Sequence, residues 1–218
     1  MRIDFIRHGH CVGNVFFRGR SPAELSELGQ KQMRVAFESI DLPDLVVSSP
    51  AKRCITQAET YYLGKNGVEK FNVPEVQLID DFQERDFGVW DGLSYEAIQL
   101  LDPKGFKAYL AEPFDCVIAE GESLQAFEER VQQAFAALLK QATSQQMNHL
   151  LVVTHGGVMR VLLKQVLSLH NDSLFQFEIG FGARMALECV EMIPEERAQY
   201  QNDYFIKLVE LVQNPLSV

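Results

Sequence analysis

The chain of 218 residues is 47% hydrophobic and carries a formal charge of -10 at pH 7. That length can bury a sizeable core and sets the expectation of one domain over residues 1–218. The charge excludes nucleic acid and anionic membranes as partners, because both are gripped by basic faces.

Any anionic small molecule must therefore be held by a few local cations. No apolar run reaches the ~18 residues of a membrane helix. Met1 leads straight into Arg2 and Asp4, unlike a signal peptide, and Cys11, Cys54, Cys116 and Cys189 lack a CxxC spacing. Reduced thiols and a cytoplasmic location are expected.

In chain order, the apolar stretch Ile3 to Ile6 predicts a buried strand that ends on Arg7-His8-Gly9. Leu25, Leu28, Met33, Ala36 and Phe37 recur at helical spacing, so a helix is expected over Leu25 to Phe37 with Ser26 as its N-cap. Leu45-Val46-Val47 reads as a short buried strand, after which Ser49-Pro50 opens a helix as N-cap and first-turn proline. The stretch Gly64 to Pro74 is turn-rich, and Val76 to Ile79 is a strand. From Ser94 to Glu112 short helices are expected, interrupted by Pro103. Ser123 to Gln141 places Leu124, Phe127, Val131, Ala134, Phe135 and Leu138 on one face of the longest helix. A strand over His149 to Thr154 feeds a helix over Val158 to Leu167, and strands over Ala186 to Met192 and Tyr204 to Val212 close the chain. The region Phe82 to Glu122 is long for a connection and rich in aromatics, so a cap-like insertion at about 82–122 is expected.

Strands alternating with helices predict a parallel sheet, whose ligands collect at the carboxyl ends of its strands. Two strands end in histidine there, His8 and His155, the latter followed by Gly156 and Gly157. Arg53 falls about one turn into the helix opened by Ser49-Pro50, where its side chain can reach back over the same edge. Imidazoles, a guanidinium and glycine amides at a helix start suit a phosphoryl group. His8 and His10 also form an HxH pair, which would allow a metal-dependent hydrolase with His155 as a third ligand. An inactive phospholigand-binding module is a further rival.

The order of Arg7-His8-Gly9, Asn14, Ser48-Ser49-Pro50 with Arg53, Glu84 ahead of Phe87-Gly88-Val89-Trp90-Asp91-Gly92, and Thr154-His155-Gly156-Gly157 resembles the histidine phosphatase superfamily, also called phosphoglycerate-mutase-like. The resemblance implies an α/β fold, a three-layer α/β/α sandwich with a mostly parallel central sheet, and a phosphohistidine intermediate without cofactor or metal. It assigns His8 as nucleophile, Arg7, Arg53 and His155 as the pocket for the non-bridging oxygens, and Glu84 as the carboxyl that moves the proton. Asn14, Arg20 and Gly156 are implied as further contacts to phosphate or leaving group. Two positions depart from the family pattern: His10 and Cys11 stand where Glu or Gln and then Thr or Ser are usual. The absence of a long insertion favours a phosphatase acting on a small phosphomonoester over a phosphoglycerate mutase. The Phe87 to Trp90 run and the Gly121-Glu122-Ser123 turn are similar to the α-ribazole phosphatase branch, which implies α-ribazole 5'-phosphate as substrate, with a broad-specificity sugar or carboxylate phosphomonoesterase as the alternative. Phe82, Phe87, Trp90, Tyr95, Phe106 and Tyr109 are the aromatics available to stack on a base.

Overall fold

Ile3, Asp4, Phe5 and Ile6 are all buried, as are Leu150 through Thr154. A strand buried on both faces belongs in the middle of a sheet covered by helices on either side. A computed structural model, which describes residues 1–66, 76–114, 116–200 and 202–216, has that arrangement. Its elements are β1 (Arg2–Arg7), α1 (Glu27–Glu38), β2 (Leu45–Ser48), α2 (Lys52–Asn66), β3 (Gln77–Leu78), α3 (Tyr95–Leu101), α4 (Pro103–Ala111), α5 (Leu124–Ser144), β4 (His149–Thr154), α6 (Gly156–Leu167), β5 (Arg184–Glu191), α7 (Pro194–Tyr200) and β6 (Tyr204–Val212). The sheet runs β3-β2-β4-β1-β5-β6. The first four strands are parallel, whereas β5 is antiparallel to β1, and β6 to β5.

The period of two along each strand divides the core into layers. Ile3 and Phe5 of β1 join Leu150 and Val152 of β4 under α5 and α6, through Val131, Phe135, Leu138 and Leu162. Ile6, Leu151 and Val153 face the other way, onto Met33 and Phe37 of α1 and Cys54 and Ala58 of α2. The result is a three-layer α/β/α sandwich. A third cluster, Phe17, Trp90, Ile98, Phe106 and Ile118, ties the segment after Glu84 to the loop after β1. Gly88 makes that segment possible: its φ is +51°, and a β-carbon there would run into the Ala119 carbonyl.

Several expected boundaries shift. The helix expected to open at Ser49-Pro50 begins at Lys52; the Ser49 hydroxyl does accept from the Ala51 amide (3.3 Å), but it also bonds a histidine across the sheet. Gly64 lies within α2 rather than in a turn, because the helix continues to Asn66; residues 67–74 of the expected turn-rich stretch lie outside the described residues. Ser26 caps α1 by accepting from the Gly29 amide, and Leu25 sits outside the helix in a bridge to Cys11. Asp102 caps α4 ahead of Pro103, which divides α3 from α4. Helix α7 was not expected, and β3 shrinks to two residues. Among the described residues no helix is long and apolar enough to cross a membrane.

Candidate active site

Parallel pairing sets Arg7 opposite Thr154 at the ends of β1 and β4. The next residue on each chain is a histidine, and the two rings lie 5.2 Å apart, nearly edge to face. His8 is 4% exposed and its Nδ1 lies 2.8 Å from the Gly9 carbonyl. A carbonyl can only accept, so Nδ1 carries the proton and Nε2 keeps its lone pair. Burial foremost, then the charges of Arg53 and Arg7, hold this imidazole well below 6.5 and keep it neutral. His155 is arranged in the opposite sense. Its Nδ1 accepts from Arg53 Nη2 (3.2 Å) and its Nε2 donates to Ser49 Oγ (2.8 Å). Its pKa is also pushed well down, by burial and then by Arg53.

Arg53, in the first turn of α2, is 2% exposed. It donates to the carbonyls of Gly19 (2.6 Å) and Ser21 (3.2 Å), which orient it toward the histidines. Arg7 donates to the Ile179 carbonyl (2.6 Å) and lies 4.0 Å over the Phe181 ring. Burial lowers its pKa to about 10 while the negative charge of Glu84 opposes the shift, so it stays cationic at neutral pH. The Nε atoms of both guanidiniums are buried without a hydrogen-bond partner. Among the described residues neither forms an ion pair. A buried and a half-buried cation that form no ion pair among the described residues, beside the N-terminus of α6 at Gly156, call for an anion.

Glu84 approaches from the segment between β3 and α3. Its carboxylate accepts from the amides of Gly157 (3.0 Å) and Arg85 (3.0 Å). It borders a cavity of about 190 Å³ whose walls include Phe17, Phe87, Tyr109, Phe127 and Phe175. Of the aromatics expected to stack on a base, Phe87 and Tyr109 line this space. Phe82, Trp90 and Phe106 are core residues, and Tyr95 is exposed.

The structure thus brings Arg7, His8, Arg53, Glu84, His155 and Gly156 to one sheet edge. It does not bring Asn14 or Arg20 into the buried group. Asn14 is exposed, and Arg20 is exposed with its Nε 3.5 Å from Asp86. Their loop serves the site through its backbone instead: Asp91 accepts from the amides of Gly19, Arg20 and Ser21, which presents the Gly19 and Ser21 carbonyls to Arg53. His10 is engaged elsewhere, with its Nδ1 2.9 Å from Ser26 Oγ and its ring edge-on to Phe181. Cys11 is buried with its Sγ 3.7 Å from His8 Nδ1, and burial raises its thiol pKa. Among the described residues no three His, Cys, Asp or Glu side chains are grouped to hold a metal ion.

Sequence reasoning missed Arg160 and Phe181. Arg160 stands one turn after Gly156 on α6, a spacing that turns it back over the helix start, and its Nη1 lies 3.2 Å from where a Gly156 β-carbon would be. Phe181 belongs to the irregular segment before β5 and carries no local signal.

Comparison with known proteins supplies the family and the fold. The sequence model described as "Histidine phosphatase superfamily (branch 1)" matches residues 3–199. The adenosylcobalamin/alpha-ribazole phosphatase of Salmonella typhimurium is 27% identical over 195 residues, 88% of this chain and 92% of that protein. Phosphoserine phosphatase 1 of Hydrogenobacter thermophilus is 26% identical over 181 residues, 81% of each. Among solved structures, the alpha-ribazole phosphatase from Shigella flexneri has a TM-score of 0.77 at 23% identity, covering 100% of this chain and 98% of that one.

Proposed function

The chain belongs to the histidine phosphatase superfamily, and from that premise we propose that it hydrolyses phosphomonoesters through a phosphohistidine on His8, without a metal ion. One observation carries the reading: a neutral imidazole with Nδ1 tied to a carbonyl stands beside two guanidiniums whose Nε atoms are buried without a hydrogen-bond partner and which form no ion pair among the described residues. Phosphoryl transfer asks the protein for little more than alignment and neutralisation of equatorial charge.

In the first half-reaction the Nε2 lone pair of His8 attacks phosphorus as the ester P–O bond breaks. Glu84, protonated, gives its proton to the departing alkoxide, leaving phosphohistidine and an alcohol. In the second, water attacks phosphorus, Glu84 takes its proton, the N–P bond breaks, and phosphate leaves a neutral His8. Arg7, Arg53 and the amide of Gly156 hold the three non-bridging oxygens; His155, expected among them, has both ring nitrogens engaged by Arg53 and Ser49 and instead keeps Arg53 aimed at the phosphate. The segment at about 82–122 acts as a cap that supplies Glu84 and two of the aromatic walls, Phe87 and Tyr109.

For the substrate, the reading is α-ribazole 5'-phosphate. Relatives carrying that activity in their names match most of the chain, and a cavity walled by Phe87, Tyr109 and Phe127 suits a flat apolar leaving group. Phosphate release is to be compared for α-ribazole 5'-phosphate, phosphoserine, sugar phosphates and phosphoglycerates, in the presence of a chelator. The expected result is fastest release from α-ribazole 5'-phosphate, an acid-labile phosphoenzyme, and loss of both in His8→Ala. Activity that needs a restored metal, or full turnover by His8→Ala, overturns the mechanism; faster release from another ester overturns the substrate alone.

A further inference from the structure

We propose that Arg130 and Glu122 form a clamp that positions Glu84, and that the protonation of the leaving group depends on it; this rests on the reading of Glu84 as the proton carrier. The strip from Asp80 to Arg85 lies outside the strands; its Asp80 carbonyl accepts from the Gln83 amide in a 3-10 turn and its Phe82 carbonyl from Thr154 Oγ1 (2.8 Å), which leaves those of Asp81, Gln83 and Glu84 to be held by another group. Arg130 does so from α5. Its Nη1 donates to the carbonyls of Asp81 (2.6 Å) and Gln83 (2.9 Å), and its Nη2 to that of Glu84 (3.1 Å).

The other edge of the same guanidinium meets Glu122 in two bonds, Nε to Oε1 at 2.6 Å and Nη2 to Oε2 at 2.9 Å. Glu122 in turn grips the far side of Glu84. Its carboxylate accepts from the Asp86 amide (3.3 Å), its carbonyl accepts from Arg85 Nε (2.9 Å), and its amide donates to the Asp86 carbonyl (2.9 Å). The two side chains are 15% and 12% exposed. A pair so shielded from water is weak evidence of stability in itself, since desolvation offsets its attraction. What it does supply is geometry: the backbone before Glu84 is bonded to Arg130 of α5 and the backbone after it to Glu122 in the turn that leads into α5, so the carboxyl is presented from a strip fixed at both ends.

The test uses the demand for that proton. An alkyl phosphate needs its leaving oxygen protonated, whereas 4-nitrophenyl phosphate departs as a stable phenolate. The ratio of kcat/KM for glycerol phosphate to that for 4-nitrophenyl phosphate is to be measured in wild type, Arg130→Met, Arg130→Lys, Glu122→Gln and Glu84→Gln. Both substrates are read on one preparation, so a smaller folded fraction scales both and leaves the ratio. In Arg130→Met the ratio falls by about 100-fold, the usual effect of displacing a reacting group by about 1 Å. Arg130→Lys, which keeps the charge but not the fork, and Glu122→Gln fall between. If Arg130→Met leaves the ratio as in wild type while Glu84→Gln lowers it, the clamp is refuted and the acid role stands. If Glu84→Gln leaves the ratio intact, the acid role fails, and the clamp with it.

Discussion

Gly157→Ala separates the chemistry of the site from the stability of the fold. Within α6 alanine is the better helix former, by about 1 kcal/mol. A β-carbon at Gly157, however, would overlap Glu84 Oε1 and sit 2.9 Å from Cδ and 3.2 Å from Oε2, where ordinary contact begins at 3.4 Å. The side chain of Glu84 is flexible, so it yields, and its carboxylate retreats by about 1 Å from the Gly157 amide that it now accepts from at 3.0 Å. The lost charge-assisted bond costs about 1.5–3 kcal/mol against the helix gain, which leaves the folded state within roughly 2 kcal/mol of wild type. The effect on rate is larger: kcat/KM for an alkyl phosphomonoester falls by about 100-fold, or ~3 kcal/mol of transition-state stabilisation. Phosphate release together with a denaturant melt measures both quantities. Wild-type turnover in the folded variant would show that Glu84 does not work from the place where the amides of Arg85 and Gly157 hold it.

The lowered pKa values of His8 and His155 mean that both imidazoles are neutral in the native state as pH falls through 6.5. Their NMR resonances should stay unshifted there, and a midpoint at or above 6.5 would contradict the burial argument. The same sign applies to stability: the unfolded chain binds these protons first, so the contribution of both histidines declines as pH drops from about 6.5 toward their native values. Removing the ring under the Arg7 guanidinium, in Phe181→Ala, should weaken inhibition by inorganic phosphate about 3–10-fold, the worth of a half-buried cation–π contact between the exposed and fully desolvated cases. An unchanged inhibition constant would show that Arg7 needs no such support. Cys11, Cys54 and Cys189 are buried, with the last two thiols pushed up to about 12, whereas Cys116 is half-buried. A thiol reagent at pH 8 should therefore label Cys116 first and the other three only on unfolding. Rapid labelling of Cys11 in the native protein would refute its placement against the core.

The layers and the sheet edge that carries the candidate site were legible because they rest on local pattern. Ile3 to Ile6 and Leu150 to Val153 are apolar runs that only a doubly covered strand explains, and each ends on a histidine. Arg53 followed from its distance past β2. What stayed hidden depends on long-range partners. Arg20 looks like one more cation for an anion, but Asp86 stands within reach and the loop points it outward. Gly64 reads as a turn, yet α2 runs through it. Arg130 and Glu122 are unremarkable charges on paper, and only the fold shows three carbonyls of the Glu84 strip converging on one guanidinium. Arg160 was available from its spacing after Gly156 and was overlooked.

The antiparallel course of β5 matters beyond the sheet it completes. Because this strand enters at the end where β1 stops, the stretch from Leu174 to Gly182 is delivered to the site's doorway. It provides the Ile179 oxygen for Arg7, the Leu174 and Phe177 oxygens for Arg160, and an amide, that of Gly182, for the carbonyls of Arg7 and His8. Phe175 borders the cavity from the same stretch. A changed side chain at Phe175 reshapes the entrance without disturbing a single rung of the parallel ladder, whereas a change at Ile179, Phe181 or Gly182 reaches Arg7 and His8 themselves, so one irregular stretch couples the doorway to the residues behind it.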